Sequence, residues 1–186
     1  LVTGNYPSTE PYPTFNFTRL ENLFDALRSQ GITQLRGAIV GDESRYDAER
    51  FSPSLGLGIK GTEVGPLGAL MVNDGVITGN PIKPDNPALG AATELTNTLQ
   101  NNGISVSGAP KVGSAPNDLS VIAKIDSMPL RDIVAEMLTN SDNNTAELLV
   151  KELGFATTGV GSREAGLEVM KAKLVEWGIP LDALAF

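Results

Sequence analysis

The feature that most constrains the fold is a change of pattern near residue 128 of this 186-residue chain. Before it, segments with helical spacing are interspersed with segments in which apolar and polar residues alternate, as in strands. After it, the pattern is helical almost to the end. A chain of this length can bury a core of its own. We therefore predict an α+β fold, with an α+β region over residues 1–118 and a helical region over residues 119–186 that begins with a strand.

The first region contains two similar units, each a helix followed by a Gly-Ile pair and a strand. Apolar residues at helical spacing predict one helix that ends at Gly31 and another over residues 88–103, because glycine commonly ends a helix. Alternating residues predict strands over 35–42 and 104–113.

A connection rich in glycine, serine and proline joins these units over residues 43–70. A connection of that length indicates a lid, an insertion or an incorrect element assignment. It leads into residues 69–79, where the pattern predicts a hairpin with Asn73-Asp74-Gly75 at its turn.

The second region is predicted to contain a strand over 119–126 and then three helices. The first helix has Pro129 near its first turn, where the missing N–H costs little. The second helix is expected to end at Gly154. The third covers residues 162–178, with Ser162 as its N-cap.

Composition excludes several kinds of chemistry. The chain contains neither cysteine nor histidine, so a thiolate nucleophile, a Ser-His-Asp triad and a zinc–histidine site cannot be built from it. Acid–base catalysis would have to use Lys, Asp, Glu, Tyr or Ser, and we predict no cofactor and no metal. The net charge of −8 makes nucleic acid and anionic lipid poor partners. No apolar run approaches the roughly 20 residues that span a bilayer.

The break between the first two helices of the second region is the tripeptide Ser141-Asp142-Asn143. All three residue types favour helix N-caps, because their side-chain oxygens accept the free N–H groups of the first turn. In this interpretation Asn143 or Asn144 caps the second helix, and Glu147 completes a capping box with Asn144.

The same tripeptide matches the Ser-x-Asn motif of penicillin-recognising serine enzymes, which lies between two helices. Further segments resemble, in the same order, the D-alanyl-D-alanine carboxypeptidase/endopeptidase family, the low-molecular-mass class C penicillin-binding proteins. The closest match is "DSMPLRDIVAEMLTNSDNNTAELLVKELG". The other segments are "LVTGNYPST", in which Tyr6 replaces an acidic residue of the family, "LFDALRSQGITQLRGAIVGDESRYD", "GALMVNDG" and "NPALGAATELTNTLQNNGISVSG".

This resemblance implies an exported serine enzyme that acts outside the cytoplasm on peptidoglycan stem peptides ending in D-alanine. It implies an acyl-enzyme intermediate, which β-lactams would trap in the intact enzyme. Ser141 would relay a proton between a lysine and the leaving amine. Asn143 would bind both that lysine and the amide carbonyl of the substrate, while Asp142 would point away and brace the corner. Residues 1–118 would be an accessory insertion, and residues 119–186 part of the helical subdomain of the penicillin-binding-protein and β-lactamase fold.

The resemblance also implies motifs that this chain does not contain. No serine is followed three residues later by lysine, so the Ser-x-x-Lys nucleophile is expected before Leu1. The Lys-Thr-Gly strand is expected after Phe186, because "KGT" at 60–62 has the wrong order and is interpreted as a turn. We therefore expect a fragment or processed chain that is inactive by itself.

Two alternatives remain open. The chain could be a class A β-lactamase-like fragment, although it lacks the Ser-x-x-Lys and Glu-x-x-Leu-Asn motifs of that class. It could instead be a non-catalytic module that binds cell-wall peptide or a protein, with the tripeptide only as a cap.

Other charged residues are predicted to be solvated. Lys111 and Lys124 lie on predicted strands and could be buried bases, but exposed strand lysines are far commoner. The carboxylates of Asp42, Glu43 and Asp47 do not have the spacing of a calcium loop, so a solvated turn is favoured.

Overall fold

The computed structural model describes residues 18–185, except 54, 55, 57, 59, 61–63 and 81. The quoted segment "LVTGNYPST" and most of "KGT" lie outside the described residues. The helices are α1 (Glu21–Ser29), α2 (Pro87–Asn101), α3 (Leu130–Asn140), α4 (Asn143–Thr158) and α5 (Arg163–Glu176). The strands are β1 (Gln34–Leu35), β2 (Val40–Gly41), β3 (Ser105–Val106) and β4 (Lys111–Val112), and short 3-10 turns cover Asn73–Gly75 and Leu181–Ala183. The predicted α+β class is confirmed. Among the described helices, none has the length and apolar character that crossing a membrane requires.

The two helix–strand units of the first region lie side by side. β1 pairs in parallel with β3, and β2 pairs in parallel with β4. Each predicted strand is therefore present but divided into two short pieces. The division occurs where Gly108 lies against the backbone of residues 37 and 38, so closely that a Cβ on Gly108 would be 2.8 Å from the nitrogen of Ala38.

The hydrophobic core of this region lies between α1, α2 and the strands. Its buried side chains are Phe24, Leu27, Leu99, Ile104 and Val106. Burying a side chain of this size stabilises the fold by about 1.5–3 kcal/mol. Both helices end before a glycine in the left-handed region, as predicted, with φ 76° at Gly31 and 85° at Gly103.

The prediction of a strand over residues 119–126 is wrong. Leu119 is 64% exposed and Val121 81% exposed, and no strand in the described part of the chain pairs with this segment. Its Ile122 carbonyl accepts a hydrogen bond from the side chain of Gln30 at 2.6 Å. Alternating residues indicate an extended chain, but a strand also requires a neighbouring strand, which the pattern cannot supply.

The hairpin predicted over 69–79 is right at its turn and wrong in its strands. Asn73, Asp74 and Gly75 all have positive φ, as the two central residues of a type I′ hairpin turn do. The preceding side chain of Met71 packs with Leu67 and with Leu148 of α4 instead of across a hairpin. Burial against the helical region therefore overrides strand pairing here.

Helices α4 and α5 pack closely against each other after a short connection. The prediction that α4 ends at Gly154 is wrong. The helix continues to Thr158, and Gly159, which has φ 78°, ends it. Gly154 instead lies against α5, where a Cβ would be 2.8 Å from the nitrogen of Gly166. The predicted N-cap of α5 is confirmed, since the hydroxyl of Ser162 accepts from the N–H of Ala165 at 3.1 Å.

Candidate functional site

The tripeptide forms a tight corner between α3 and α4. Ser141 adopts the left-handed conformation, with φ 56° and ψ 42°, directly after the last residue of α3. The next backbone N–H, that of Asp142, donates to the carbonyl of Met137 at 3.0 Å. This is the position at which helices usually place glycine, because a Cβ is unfavourable there. The corner therefore carries a residue that local backbone preference does not explain.

The middle residue caps α4. A carboxylate oxygen of Asp142 accepts from the N–H of Thr145 at 3.0 Å, and the other accepts from the Thr145 hydroxyl at 2.5 Å. The predicted bracing role of Asp142 is confirmed, whereas the predicted cap by Asn143 or Asn144 is wrong. An N-cap must lie just before the helix in extended backbone, and Asp142 alone satisfies this condition. Glu147 completes no capping box and lies 3.7 Å from Arg163.

The side chains of the two outer residues of the tripeptide, Ser141 and Asn143, take no part in the cap. Ser141 is exposed and Asn143 is half-buried at the start of α4. Within the described residues, neither the Ser141 hydroxyl nor the Asn143 amide is used in a hydrogen bond. The cap of α4 therefore uses neither of the two side chains to which the family resemblance assigns a catalytic role.

The residue that follows the tripeptide is anchored to a distant part of the chain. Asn144 is 3% exposed, and its Oδ1 accepts from the N–H of Gly65 at 2.6 Å. Its Nδ2 donates to a carboxylate oxygen of Asp74, whose other oxygen pairs with Lys83 at 2.8 Å. These hydrogen bonds were not predicted, because the local sequence around Asn144 indicates only a cap.

Described residues near the two ends of the connection over 43–70 contact α4, as does the turn that follows it. Near the corner, Leu148 is 5% exposed and packs against Leu67 and Met71, with Tyr46 at the edge of the cluster. These ends of the connection are therefore packed against the helix that carries Asn143.

Farther along α4, Lys151 is fully buried at 1% exposure. Its Nζ donates to a carboxylate oxygen of Asp47 and to the carbonyl oxygen of Glu49, the latter at 2.9 Å. Burial raises the pKa of the Glu49 carboxyl. Lys111 and Lys124, which lie on predicted strands, are both exposed. Lys151 was not predicted to be buried, because its partners lie about 100 residues away in the chain.

The acidic cluster that was predicted as a solvated turn is in fact paired with basic residues. Glu43 forms an ion pair with Arg50, and Asp47 forms one with Lys151. Only Asp42 fits the solvated description in part, and its carboxylate still accepts from the N–H of Ala115 at 2.6 Å. That hydrogen bond lowers the pKa of Asp42.

A further ion pair fixes the connection to the outer part of α4. Arg45 donates to both carboxylate oxygens of Glu152, at 2.6 and 2.8 Å, and its guanidinium lies 4.0 Å from the ring centroid of Phe155. The hydroxyl of Tyr46 donates to the same carboxylate at 2.7 Å. The hydrogen bond from Arg45 lowers the pKa of Glu152.

This ion pair makes a pH-dependent contribution to stability. Because the folded-state pKa of Glu152 lies below its ordinary value of 4.5, the contribution is present above that value and is lost as the pH falls through the folded-state pKa. We expect Glu152→Gln to lower the free energy of unfolding by about 0.5–1 kcal/mol at pH 7, since the pair is partly exposed. Urea denaturation at pH 7 and near pH 3 measures the effect, which should be smaller at the lower pH. Glu168→Gln is the control, and an equal loss at both pH values for Glu152→Gln would contradict the assignment.

Comparison with known proteins places the corner within a family match. Residues 77–186, more than half of the chain, match the D-Ala-D-Ala carboxypeptidase 3 (S13) family. The chain belongs to this family. The resemblance inferred from the sequence segments is thereby confirmed, and the class A β-lactamase alternative is not supported.

Three relatives agree with this assignment. The chain is 34% identical over 103 residues to a D-alanyl-D-alanine carboxypeptidase of an Actinomadura species, covering 54% of this chain and 19% of the relative. It is 26% identical over 160 residues to a carboxypeptidase of Mycobacterium tuberculosis, covering 84% and 33%. It is 26% identical over 174 residues to carboxypeptidase DacB of Mycolicibacterium smegmatis, covering 85% and 37%. The chain thus spans about a fifth to just over a third of the length of these relatives.

The S13 match divides the site into two parts. The corner and helices α3, α4 and α5 lie inside the matched range, whereas Gly65, Asp74 and the paired residues of the connection lie before it. In this S13 chain, the helix that follows the corner is therefore anchored by residues outside the matched range.

Proposed function

We propose that this chain is part of a longer serine-type D-Ala-D-Ala carboxypeptidase/endopeptidase that acts outside the cytoplasm on peptidoglycan stem peptides. The reaction proceeds through an acyl-enzyme, and β-lactams inhibit the intact enzyme by forming the same kind of ester. The observation that carries the proposal is the S13 match over residues 77–186, which contains the Ser-Asp-Asn corner. The names of the relatives and their greater length support it.

The chemistry of the corner suits this role. The hydroxyl of Ser141 can accept and donate a proton at one oxygen, so it can relay a proton from a lysine to the leaving amine. The amide of Asn143 offers an acceptor for that lysine and a donor for the carbonyl of the substrate. Since the chain contains no histidine, any base that these 186 residues supply must be another side chain, such as a lysine. We assign the nucleophile to a Ser-x-x-Lys motif outside these 186 residues.

We further propose that residues 1–118 form an accessory region inserted into the enzyme and that residues 119–186 belong to its helical subdomain. Supporting this division, the described strands all lie before residue 119 and helices α3, α4 and α5 all lie after it. The accessory region nevertheless contacts α4 extensively through the connection over 43–70.

A labelling experiment tests the proposed function. The longer protein of which we propose this chain is a part, called here the full-length protein, is incubated with a fluorescent penicillin. We expect one covalent adduct on a serine outside residues 1–186 and no adduct on the 186-residue chain alone, because the chain contains no Ser-x-x-Lys. Mass spectrometry of the digested adduct identifies the labelled serine.

Two neighbouring variants provide the control. Asn143→Ala should slow labelling about tenfold to a hundredfold because a positioned amide is lost. Asp142→Ala should lower stability by about 0.5–2 kcal/mol through loss of the cap, with a smaller effect on the labelling rate. The proposal would be refuted by a full-length protein that forms no adduct, or by an adduct on a serine of this chain.

A further inference from the structure

We infer that Asn144 is a positioning residue that ties the catalytic corner to the accessory region through Gly65 and Asp74. The inference deepens the proposed function and rests on it. It assigns to the accessory region a direct part in holding Asn143 in place.

The hydrogen bonds of Asn144 fix the orientation of its amide. Its Oδ1 accepts from the N–H of Gly65 at 2.6 Å, and its Nδ2 donates to the carboxylate of Asp74. Rotating the amide by half a turn would place an N–H group against an N–H group and an oxygen against a carboxylate. Because Asn144 is only 3% exposed, water cannot replace either hydrogen-bond partner unless the contact opens.

The partner carboxylate is itself held from a second direction. Asp74 lies in the left-handed turn with φ 53°, and its other oxygen pairs with Lys83 at 2.8 Å. Both side chains of this ion pair are largely buried, at 21% and 14% exposure. Asn144 is therefore bound to a fixed group and not to a mobile surface residue.

Because of the position of Asn144 in the chain, its hydrogen bonds hold the corner in place. It directly follows Asn143, and both lie in the first turn of α4. The Asp142 cap holds the same turn through Thr145, so two separate contacts fix the start of the helix. Four residues farther on, Leu148 packs against Leu67, close in the chain to Gly65. Because a displacement of about 1 Å at a reacting group can slow catalysis about a hundredfold, losing one of these contacts should slow acylation.

An exchange of side chains tests the inference in the full-length protein. Asn144→Asp places two carboxylates together and should slow acylation by penicillin about tenfold to a hundredfold. Asp74→Asn should also slow acylation, because its single amide oxygen cannot replace both carboxylate oxygens that accept from Asn144 and Lys83. The double variant Asn144→Asp/Asp74→Asn restores the hydrogen bond with reversed polarity and should recover most of the rate lost in Asn144→Asp. Asn117→Asp, at an exposed position, is the matched control.

Hydrogen exchange and melting temperature separate positioning from general stability. We expect faster exchange of the backbone amides over 140–147 in Asn144→Asp, and a return towards the wild-type rate in the double variant. The inference is overturned if Asn144→Asp lowers the melting temperature but leaves both the acylation rate and the exchange at the corner unchanged. A wild-type protein that forms no penicillin adduct would refute the proposed function instead, and the exchange rates would still decide whether Asp74 holds the corner.

Discussion

Replacing Ser141 with glycine should slow acylation of the full-length protein by penicillin about a hundredfold to a thousandfold, because the proposed proton relay is lost. The same substitution should make the protein more stable. Ser141 has φ 56°, a conformation that is unfavourable for a residue with a Cβ by about 1–2 kcal/mol. Glycine has no such penalty and is the residue usually found after the end of a helix.

Ser141→Ala is the control for this prediction. Alanine also lacks the hydroxyl, so acylation should slow by a similar factor, but it keeps the Cβ and should give no gain in stability. Urea denaturation measures the free energy of unfolding of both variants, and rapid mixing with a chromogenic penicillin or cephalosporin measures acylation. Equal stabilities of the glycine and alanine variants would show that Ser141 is not strained. Unchanged acylation in both would show that its hydroxyl relays no proton.

The strained serine bears on whether the corner is only a cap. Capping is accomplished by Asp142, and a corner selected only for stability would place glycine at position 141. Strained residues cluster at functional sites, where the surrounding structure holds them. The conformation of Ser141 therefore favours the catalytic interpretation of the tripeptide over the structural one.

Local signals in the sequence were sufficient for the fold class and for the location of the corner. Glycines at 31 and 103 and the serine at 162 set helix ends correctly because the responsible contacts lie within a few residues. The described strands lie before the pattern change near residue 128, and α3, α4 and α5 lie after it. The corner between two helices was predicted in the same way.

The contacts that support the corner could not be predicted, because their partners are far apart in the chain. Asn144 and Asp74 are separated by 70 positions, and Lys151 and Asp47 by 104. Each residue by itself resembles an ordinary polar surface residue. The strand prediction over 119–126 was also wrong because of a long-range requirement. Alternation of apolar and polar residues predicts a strand, but the described residues provide no partner strand for it.

Gly154 was wrongly predicted to end α4, and it instead lies against Gly166 of α5. A glycine in a helical pattern can mark either a helix end or a close contact, and the pattern does not distinguish the two. A Cβ on Gly166 would overlap the carbonyl oxygen of Val150 in α4. Alanine normally stabilises a helix relative to glycine by about 1 kcal/mol. Here we expect Gly166→Ala to lower the free energy of unfolding by about 2–3 kcal/mol, because the overlap forces α4 and α5 apart.

The exposed Ala172 of α5 provides the matched control, because Ala172→Gly should show the ordinary preference, a loss of about 1 kcal/mol. The two positions should therefore prefer opposite residues in urea denaturation, and a neutral or stabilising Gly166→Ala would mean that the helices are not in such close contact. In the full-length protein, the fraction of Gly166→Ala that remains folded should still be acylated at nearly the wild-type rate. The start of α4 is held by Asp142 and Asn144, on contacts that do not involve α5. Loss of stability without loss of rate in Gly166→Ala, together with loss of rate in Asn144→Asp, would separate what stabilises α4 from what positions the corner.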